Sequence, residues 1–260
     1  QMCRFGGQLA FARHSRHYDG DPHTMVAGPV KVDIVEPYKT VKLFVDPAES
    51  PIGVDIPFTA RTRECGLRRG TMKRGSETIW DQSHMIQSGR FNGTYTFGGK
   101  TYEMRDWWGQ RDHSWGIRDH LRCPMWRWLA IPLPDGMLGI WNWEYENGQR
   151  VYTDGYWAPA DMSEPVQVVD YQYDLHWIDA SGARTDYGRD GETVAGLEGA
   201  ITARLADGRE FQVERAGRWH ARYGQFGGGQ VNMQLRTPDG QRGNAAYEIT
   251  GSSHHHFFPV

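Results

Sequence analysis

Cysteine is scarce in this chain of 260 residues, and its spacing excludes two classes of small protein. The three cysteines are Cys3, Cys65 and Cys123, and no C-x-x-C pair occurs, so neither a disulfide framework nor a zinc cage is indicated. Isolated cysteines usually behave as small apolar side chains in a reduced core. We therefore expect three buried, reduced thiols and a cytoplasmic protein.

An excess of charge of one sign is also lacking, since 29 basic residues face 32 acidic ones and the net charge is -3. A nucleic-acid partner or a polybasic membrane anchor requires a concentrated basic surface, so neither is expected. The apolar runs fall short of the roughly 20 residues of a membrane-spanning helix, so no integral membrane segment is expected. The chain opens inside what looks like a strand, without a leader, and we expect upstream strands to be missing from it.

Sustained helical periodicity is absent as well, because no apolar pattern repeats at helical spacing for three turns. Turn residues recur instead at intervals of roughly ten residues, between segments rich in aromatic and β-branched side chains. Examples of these turns are Gly98-Gly99, Asn147-Gly148 and Asp207-Gly208. The pattern predicts an all-β fold, either a sandwich or a barrel.

The tryptophans are unevenly distributed along the chain. Trp80 is the only tryptophan before residue 95, whereas seven lie between Trp107 and Trp143. The run Ser88-Gly89-Arg90-Phe91-Asn92-Gly93 has the composition of a connector into a new meander. We therefore expect an N-terminal β domain at 1–95 and a C-terminal β domain at 96–260.

Segment 106–119 carries the strongest functional signal. It holds three tryptophans, three carboxylates, two arginines and one histidine within fourteen residues. Surface loops rarely contain so many indoles, and cores reject unpaired charges because burying one costs several kcal/mol. An aromatic cavity that holds paired ionisable groups satisfies both constraints, and such a cavity is typical of a small-molecule site.

Strand parity predicts how the next hairpin presents its side chains, because successive residues of a strand point to opposite faces. If segments 126–131 and 138–145 pair through the turn at Pro134-Asp135-Gly136, four indoles form one wall. The opposite wall then brings Arg127 near Glu144. The pattern leaves open whether that wall faces solvent or the lumen of a barrel. The four indoles are Trp126, Trp128, Trp141 and Trp143.

A family resemblance rests on the block Gly109-x-Arg111-Asp112-x-Ser114-Trp115-Gly116-x-Arg118, on the Trp-rich hairpin after it, and on the glycine pattern 89–102 before it. The chain resembles a bacterial group of double lipocalin-like proteins related to carotenoid 1,2-hydratases, tocopherol cyclases and fungal decalin-forming Diels–Alderases. The resemblance implies two consecutive antiparallel lipocalin-like β-barrel or sandwich domains around an apolar ligand pocket near their junction. It also implies hydration, cyclisation or isomerisation of a hydrophobic isoprenoid or polyketide without a metal or a nucleotide. We carry over no catalytic residue from it.

The residues themselves suggest an acid and base. His113 shares a strand face with Trp115 and Asp119, and histidine changes charge most readily near neutral pH, so His113 is the first candidate. Asp112 points to the other face and is expected to pair with Arg118 or Arg111. Asp112, Arg118 and Asp119 are expected to hold the geometry and charge of the site. The structural alternative is that these arginines and aspartates form an ion-pair lattice without a catalytic role.

The expected lining of the site is aromatic, because indoles combine a large apolar area with one polar atom. Glu144 is a second acid candidate beside them, although a glutamate on a solvated strand face is a common alternative. The expected substrate-binding residues are Trp108, Trp115, Trp126, Trp128, Trp143 and Glu144.

The sequence does not match the metal-binding and cofactor-binding motifs considered. Three consecutive histidines, His254-His255-His256, cannot chelate one ion from a regular strand, and no H-x-H or H-E-x-x-H spacing occurs. Gly227-Gly228-Gly229 lacks the lysine and the helix of a phosphate-binding loop, and no G-x-S-x-G elbow exists. We therefore expect neither a metal nor a cofactor.

Three functions remain open. The first is a cofactor-free enzyme (hydratase, cyclase, isomerase or lyase) acting on a hydrophobic isoprenoid, polyketide or aromatic small molecule. The second is a non-catalytic carrier of such a molecule, and the third is a structural module whose tryptophans only fill a core. The density of charge in segment 106–119 favours the enzyme, because a carrier needs few ionisable groups in its pocket. The oligomeric state is not indicated.

Overall fold

All regular structure in the described part of the chain is β-strand. The computed structural model describes residues 2–5, 8–17, 20–21, 23–119, 122–145, 147, 149–185, 195–222, 229–236 and 242–250. The first nine strands are β1 (Met2–Phe5), β2 (Gln8–Phe11), β3 (Val26–Ala27), β4 (Val30–Glu36), β5 (Thr40–Val45), β6 (Ile52–Ala60), β7 (Cys65–Arg74), β8 (Glu77–Phe97) and β9 (Lys100–Arg118). The others are β10 (Met125–Leu133), β11 (Gly136–Glu144), β12 (Arg150–Pro159), β13 (Val166–Ile178), β14 (Arg184–Thr185), β15 (Gly196–Leu205), β16 (Glu210–Arg222), β17 (Gly229–Arg236) and β18 (Arg242–Thr250).

The strands before residue 119 form a two-stranded sheet, β1-β2, and a seven-stranded sheet. In the larger sheet the order is β3-β4-β5-β6-β8-β7, and β9 pairs with β8. Its described registers are antiparallel, from β3–β4 through β7–β8. Alternation of apolar and polar residues sets which face is buried, as in β5, where Val41 and Val45 are buried and Lys42 is exposed.

The strands after residue 125 form a closed sheet. The order β12-β11-β10-β18-β17-β16-β15-β13 returns on itself, because β12 also pairs with β13, through Tyr156↔Gln167 and Trp157↔Val166. Eight antiparallel strands therefore close, and β14 adds a short strand beside β13. An interior of this size is just wide enough to be filled by side chains.

The chain forms two compact units. The first unit is Gln1–Arg61 with Gln87–Arg111, and the second unit is Thr62–Ile86 with Asp112–Val260. Strands β8 and β9 contribute residues to both units. The predicted domain boundary between residues 95 and 96 stays a prediction.

The predicted all-β fold class is confirmed. Antiparallel sheets, one of them closed, agree with two lipocalin-like domains. Within the described ranges, no helix is long and apolar enough to cross a membrane. The predicted connector at 88–93 is wrong, because this segment is the interior of the 21-residue strand β8.

The hairpin β10–β11 is buried on both faces, which is why it contains so few exposed residues. The registers Trp126↔Trp143, Arg127↔Asn142 and Trp128↔Trp141 confirm the predicted pairing through the turn at 134–135. One face points into the closed sheet and joins its inner core, which includes Leu129, Ile131, Leu138, Ile140, Trp157 and Val213.

The other face of the hairpin carries the indoles and packs against β7 and β8 of the same unit. We call this packing the aromatic cluster; its ring-bearing members are Trp80, Trp126, Trp128, Trp141, Trp143 and Tyr156. The cluster also includes Cys65 and Cys123, which are buried free thiols, as predicted. The side chain of Cys3 lies outside the described residues.

Gly70 allows β7 to approach the aromatic cluster, so we expect Gly70→Ala to destabilise the protein. A Cβ at this position would lie 2.5 Å from Tyr152 Cδ2 and 2.6 Å from Trp143 Cζ3. Overpacking of this kind costs about 1–3 kcal/mol of the free energy of unfolding, measured by chemical denaturation. Gly66→Ala is the matched control, because nothing lies within 4 Å of a Cβ there in the same strand. Equal denaturation midpoints for the two variants would contradict the packing described here.

Candidate functional site

Two polar side chains interrupt the buried face of β8. Trp80 and Ile86 on this face belong to the aromatic cluster, and between them lie Gln82 and His84, which are 3% and 5% exposed. The register places Leu67 of β7 opposite His84, so an apolar neighbour shields the imidazole from water on that side. Buried polar groups require hydrogen-bond partners, since an unpaired one costs about 1–3 kcal/mol.

Those partners form a continuous chain of hydrogen bonds. Trp80 Nε1 donates to Gln82 Oε1 at 2.6 Å. Gln82 Nε2 lies 3.2 Å from His84 Nδ1, and His84 Nε2 lies 2.9 Å from Asp112 Oδ2. We call this series Trp80–Gln82–His84–Asp112 the β8 chain. It connects the inside of the aromatic cluster to a carboxylate of β9 that is half exposed.

Strand β9 reaches this position because of one glycine. Gly116 has φ +132°, a conformation that L side chains rarely adopt, and a Cβ there would collide with the backbone carbonyl of Asp81. The end of the strand is tied by a hydrogen bond from Asp119 N to Ile79 O at 3.0 Å. Together these contacts hold β9 close to β8 on the C-terminal side of Asp112.

Aromatic rings surround the buried end of the β8 chain. The ring of His84 meets that of Trp141 edge to face, with centroids 4.4 Å apart. Trp80 packs on Trp126 and Trp143 at 5.1 and 6.0 Å. Hydrogen bonds in such apolar surroundings are stronger than in water, and a broken one is correspondingly costly.

Tyr156 and Cys65 belong to the aromatic cluster, as Trp141 does, and stay protonated. Burial, with smaller effects of Cys65 and Asp112, raises the pKa of the Tyr156 phenol well above its ordinary value. Burial and, less, the charge of Glu64 raise the pKa of the Cys65 thiol. The Tyr156 Oη has no hydrogen-bond partner among the described residues and no contact with solvent. We therefore assign it no step of the chemistry.

A second polar cluster lies inside the closed sheet. Arg127 and Glu144 are fully buried there, and Arg127 donates to Glu144 and to Asn142. The guanidinium also lies 3.5 Å from the centre of the Tyr173 ring, and Tyr173 Oη donates to Glu144 Oε1 at 3.0 Å. Arg150 Nε approaches the same carboxylate at 3.6 Å. A buried ion pair with so many partners fits a structural role.

The tryptophans predicted to line the site lie in different surroundings. Trp126, Trp128 and Trp143 lie in the aromatic cluster and are buried, whereas Trp115 is 50% exposed on β9. Trp108 belongs to the first unit, where the Arg61 guanidinium lies 4.5 Å from the centre of its ring. The structure therefore does not bring all five indoles to one wall of the second unit.

His113 is exposed, and its ring lies 5.4 Å from that of Trp115, which agrees with the predicted shared face. The predicted pairing of Asp112 with Arg118 or Arg111 is wrong, because Asp112 pairs with His84. Arg118 donates to Ser114 Oγ at 2.9 Å, and Arg111 donates to Gln87 Oε1 at 3.1 Å.

Two further predicted residues differ in their surroundings. Asp119 accepts a hydrogen bond from the backbone N–H of Arg122 at 3.2 Å and lies 3.7 Å from the guanidinium of that residue. Glu144 is not on a solvated face, since it is 2% exposed and pairs with Arg127, as parity predicted. The closed sheet buries the face that the sequence pattern left undecided.

His84 is not among the residues predicted from the sequence, although a signal was present. In the run Trp80-x-Gln82-x-His84-x-Ile86, a histidine and a glutamine occupy the parity of two large apolar residues. Such a substitution on an apolar strand face indicates a buried, hydrogen-bonded polar group. Its partner Asp112 is 28 residues away and belongs to another strand, so spacing could not reveal the pair.

No group of three or more histidine, cysteine, aspartate or glutamate residues that could hold a metal ion is found in the described part of the chain. The run His254-His255-His256 and the glycines 227–228 lie outside the described residues.

Comparison with protein families matches residues 2–181 to the Family of unknown function (DUF8625). The chain belongs to this family. A comparison with curated proteins found no significant match.

Two solved structures have similar folds. One, from Nitrosomonas europaea, is assigned as an AttH protein. Its TM-score is 0.60 and its identity is 11%, and the match covers 95% of this chain and 76% of that chain. The other is kievitone hydratase from Nectria haematococca, with a TM-score of 0.52 and 11% identity over 86% of this chain and 68% of that chain. At this identity the likeness shows a shared fold.

The buried ion pair of the closed sheet gives a stability prediction. Arg127→Met leaves the Glu144 charge buried without its main partner, so we expect a loss of about 3–5 kcal/mol in the free energy of unfolding. The double variant Arg127→Met with Glu144→Leu should recover much of that loss, because no buried charge remains. Arg105→Met, which removes an exposed ion pair with Glu103, is the control and should change the denaturation midpoint little. A single variant as stable as the control would contradict the structural role.

The raised pKa values of Cys65 and Tyr156 predict loss of stability at alkaline pH. Above about pH 8.5 an unfolded chain releases the thiol proton, and above about pH 10 the phenol proton, whereas the folded chain keeps both. The folded state then binds more protons, so the free energy of unfolding falls as pH rises. Cys65→Ala and Tyr156→Phe should each make this fall shallower in denaturation series between neutral and alkaline pH. A pH dependence unchanged in both variants would contradict the assignment.

Proposed function

We propose that this protein is a cofactor-free enzyme that performs acid/base chemistry on a hydrophobic small molecule, with Asp112 as the group that exchanges the proton. One observation carries the proposal. Asp112 Oδ2 is held by the buried His84, while Oδ1 makes no hydrogen bond to the described residues and the side chain is half exposed. A carboxylate with one oxygen fixed and the other accessible is oriented for a substrate.

The chemistry that this arrangement supports is proton transfer. In hydration, Asp112 Oδ1 takes a proton from water as the water oxygen bonds to one carbon of an activated double bond; the π electrons move to the other carbon, which takes the proton back from the carboxyl. In isomerisation, Asp112 Oδ1 takes a proton from an activated C–H and returns it to another carbon of the substrate. A positioned side chain contributes about 10²–10⁴-fold to such a step. His84 holds the carboxylate in one orientation, and Asp119 holds the end of β9 through its backbone hydrogen bond to Ile79.

Exposed apolar side chains on β9 support a hydrophobic substrate. Trp115 and Ile117 are 50% and 55% exposed, and Trp115 shares the strand face of His113, opposite to that of Asp112. Exposed large apolar side chains that cluster are typical of interaction surfaces. His113 lies against Trp115 and stays a second proposed proton carrier, and Arg118, tied to Ser114, is proposed to hold the strand geometry.

Hydration is the first reaction to test. The fold is shared with a protein described as kievitone hydratase, and this supports hydration by analogy of fold only. Isoprenoid, polyketide and aromatic compounds are the proposed substrate classes. The alternative function is a carrier, which would bind an apolar molecule at the exposed indole of Trp115 without turnover.

The test is a panel of isoprenoid alkenes, prenylated phenols and polyketide lactones incubated with the protein in ¹⁸O-labelled water and followed by mass spectrometry. We expect Asp112→Asn to lower turnover at least about 10²-fold, because the amide cannot accept the proton. Asp106→Asn is the matched control on the same strand, since Asp106 forms an exposed ion pair with Arg90 and should keep full turnover. Binding of 1-anilinonaphthalene-8-sulfonate should be equal in all three proteins.

The outcomes separate the candidates. Full turnover by Asp112→Asn would remove Asp112 from the chemistry, and loss of turnover in His113→Ala alone would move the base to His113. Panel compounds that bind wild type and Asp112→Asn equally, without product in either, would identify a carrier.

A further inference from the structure

We infer that Trp80 and Gln82 are positioning residues that fix His84 as the uncharged tautomer with its hydrogen on Nε2. On this assignment His84 serves Asp112 as a hydrogen-bond donor and is not itself the base. The inference deepens the proposed function and rests on it for its catalytic meaning, but the tautomer itself follows from the β8 chain alone.

The donor-to-acceptor direction of the hydrogen bonds in the β8 chain is set at its buried end. An indole N–H can only donate, so the Gln82 atom at 2.6 Å from Trp80 Nε1 must be the carbonyl oxygen Oε1. The amide of Gln82 is therefore oriented without ambiguity, and its NH₂ group faces His84. Trp80 cannot rotate freely to release it, because its ring packs on Trp126 and Trp143 inside the aromatic cluster.

The orientation of Gln82 then decides the state of His84. The amide NH₂ donates to Nδ1 at 3.2 Å, so Nδ1 must present its lone pair. A neutral imidazole with a lone pair on Nδ1 carries its hydrogen on Nε2, and Nε2 donates to Asp112 Oδ2 at 2.9 Å. Each donor in the series meets an acceptor, and no other tautomer satisfies all three contacts.

The groups around His84 also favour an uncharged ring. Trp141 packs on it, and Leu67 lies opposite in the register, so both neighbours are apolar. Tyr156 and Cys65 stay protonated and bring no negative charge. Among the described residues, Asp112 is the charged group in contact with the ring, and an imidazolium would point its Nδ1–H at the N–H of Gln82.

The tautomer of His84 determines where a proton accepted by Asp112 resides. A proton that Asp112 accepts cannot pass to His84, because Nε2 already carries a hydrogen and Nδ1 is held by Gln82. The proton therefore stays on the Asp112 carboxyl until it returns to product or solvent. An imidazolium beside Asp112 would stabilise the carboxylate and slow proton abstraction, so Gln82 keeps the base reactive by keeping His84 neutral.

Nitrogen NMR of the whole protein with ¹⁵N-labelled histidine tests the tautomer directly. In wild type at neutral pH we expect His84 to show a protonated Nε2 and an unprotonated Nδ1. Its signals are identified by their loss in His84→Gln and, should that variant not fold, by the proximity of its ring protons to those of Trp141. A protonated Nδ1 in wild type, alone or together with Nε2, would overturn the inference.

Gln82→Glu is the decisive variant, because it is nearly isosteric and replaces a donor by an acceptor. The new carboxylate accepts from Trp80 with one oxygen and from His84 Nδ1 with the other, so we expect both ring nitrogens to be protonated. Gln172→Glu, an exposed change in the same unit, is the matched control and should leave the His84 signals as in wild type. Should folded Gln82→Glu keep the wild-type pattern, Gln82 does not set the state of His84.

The activity readout is separate from the spectrum. On a compound that the panel shows to react, Gln82→Glu should lower turnover at least tenfold while Gln172→Glu does not. Full turnover by a Gln82→Glu protein with a doubly protonated His84 would overturn the positioning role. The expected tautomer together with an active Asp112→Asn would remove the proposed function and leave the hydrogen-bond assignment intact.

Discussion

Burial of the β10–β11 hairpin on both faces is the constraint on which the second unit depends. A strand presents alternate residues to opposite sides, so a hairpin covered on both sides needs two different sets of contacts. One set, with Leu129 and Ile140, joins the inner core of the closed sheet. The other, with Trp128 and Trp141, requires a cover, and β7 and β8 supply it.

The cover formed by β7 and β8 determines where the candidate site lies. Because β8 lies on the aromatic face, its inward residues are either large apolar side chains or polar ones with complete hydrogen bonding. Gln82 and His84 are of the second kind, and their hydrogen bonds lead outward to Asp112. The charge of the site then resides on the one member that is half exposed, where hydration reduces its cost, and the buried members stay neutral.

The two buried polar clusters of the second unit avoid an unpaired buried charge in different ways. Inside the closed sheet, Arg127 and Glu144 neutralise each other and have further partners in Asn142 and Tyr173. Such a pair is costly to break, because removing one partner leaves the other charge buried and uncompensated. The β8 chain contains no buried charge and ends at a half-exposed carboxylate, so the proposed proton exchange would leave the core undisturbed. This difference favours the β8 chain as the site of chemistry.

Local sequence patterns determined the strands, the hairpin register and its two faces. Period-two alternation and turn residues are local properties, and they sufficed to predict that Arg127 meets Glu144 and that the indoles of 126–143 share a wall. They also predicted that His113 lies beside Trp115. Only the tertiary structure decided which walls are buried, that Trp115 stays exposed, and that Asp112 pairs with His84 and not with a neighbouring arginine. The physical reason is that burial and pairing depend on which strand covers which face, and contacts between strands far apart in the chain leave no periodic trace in either of them.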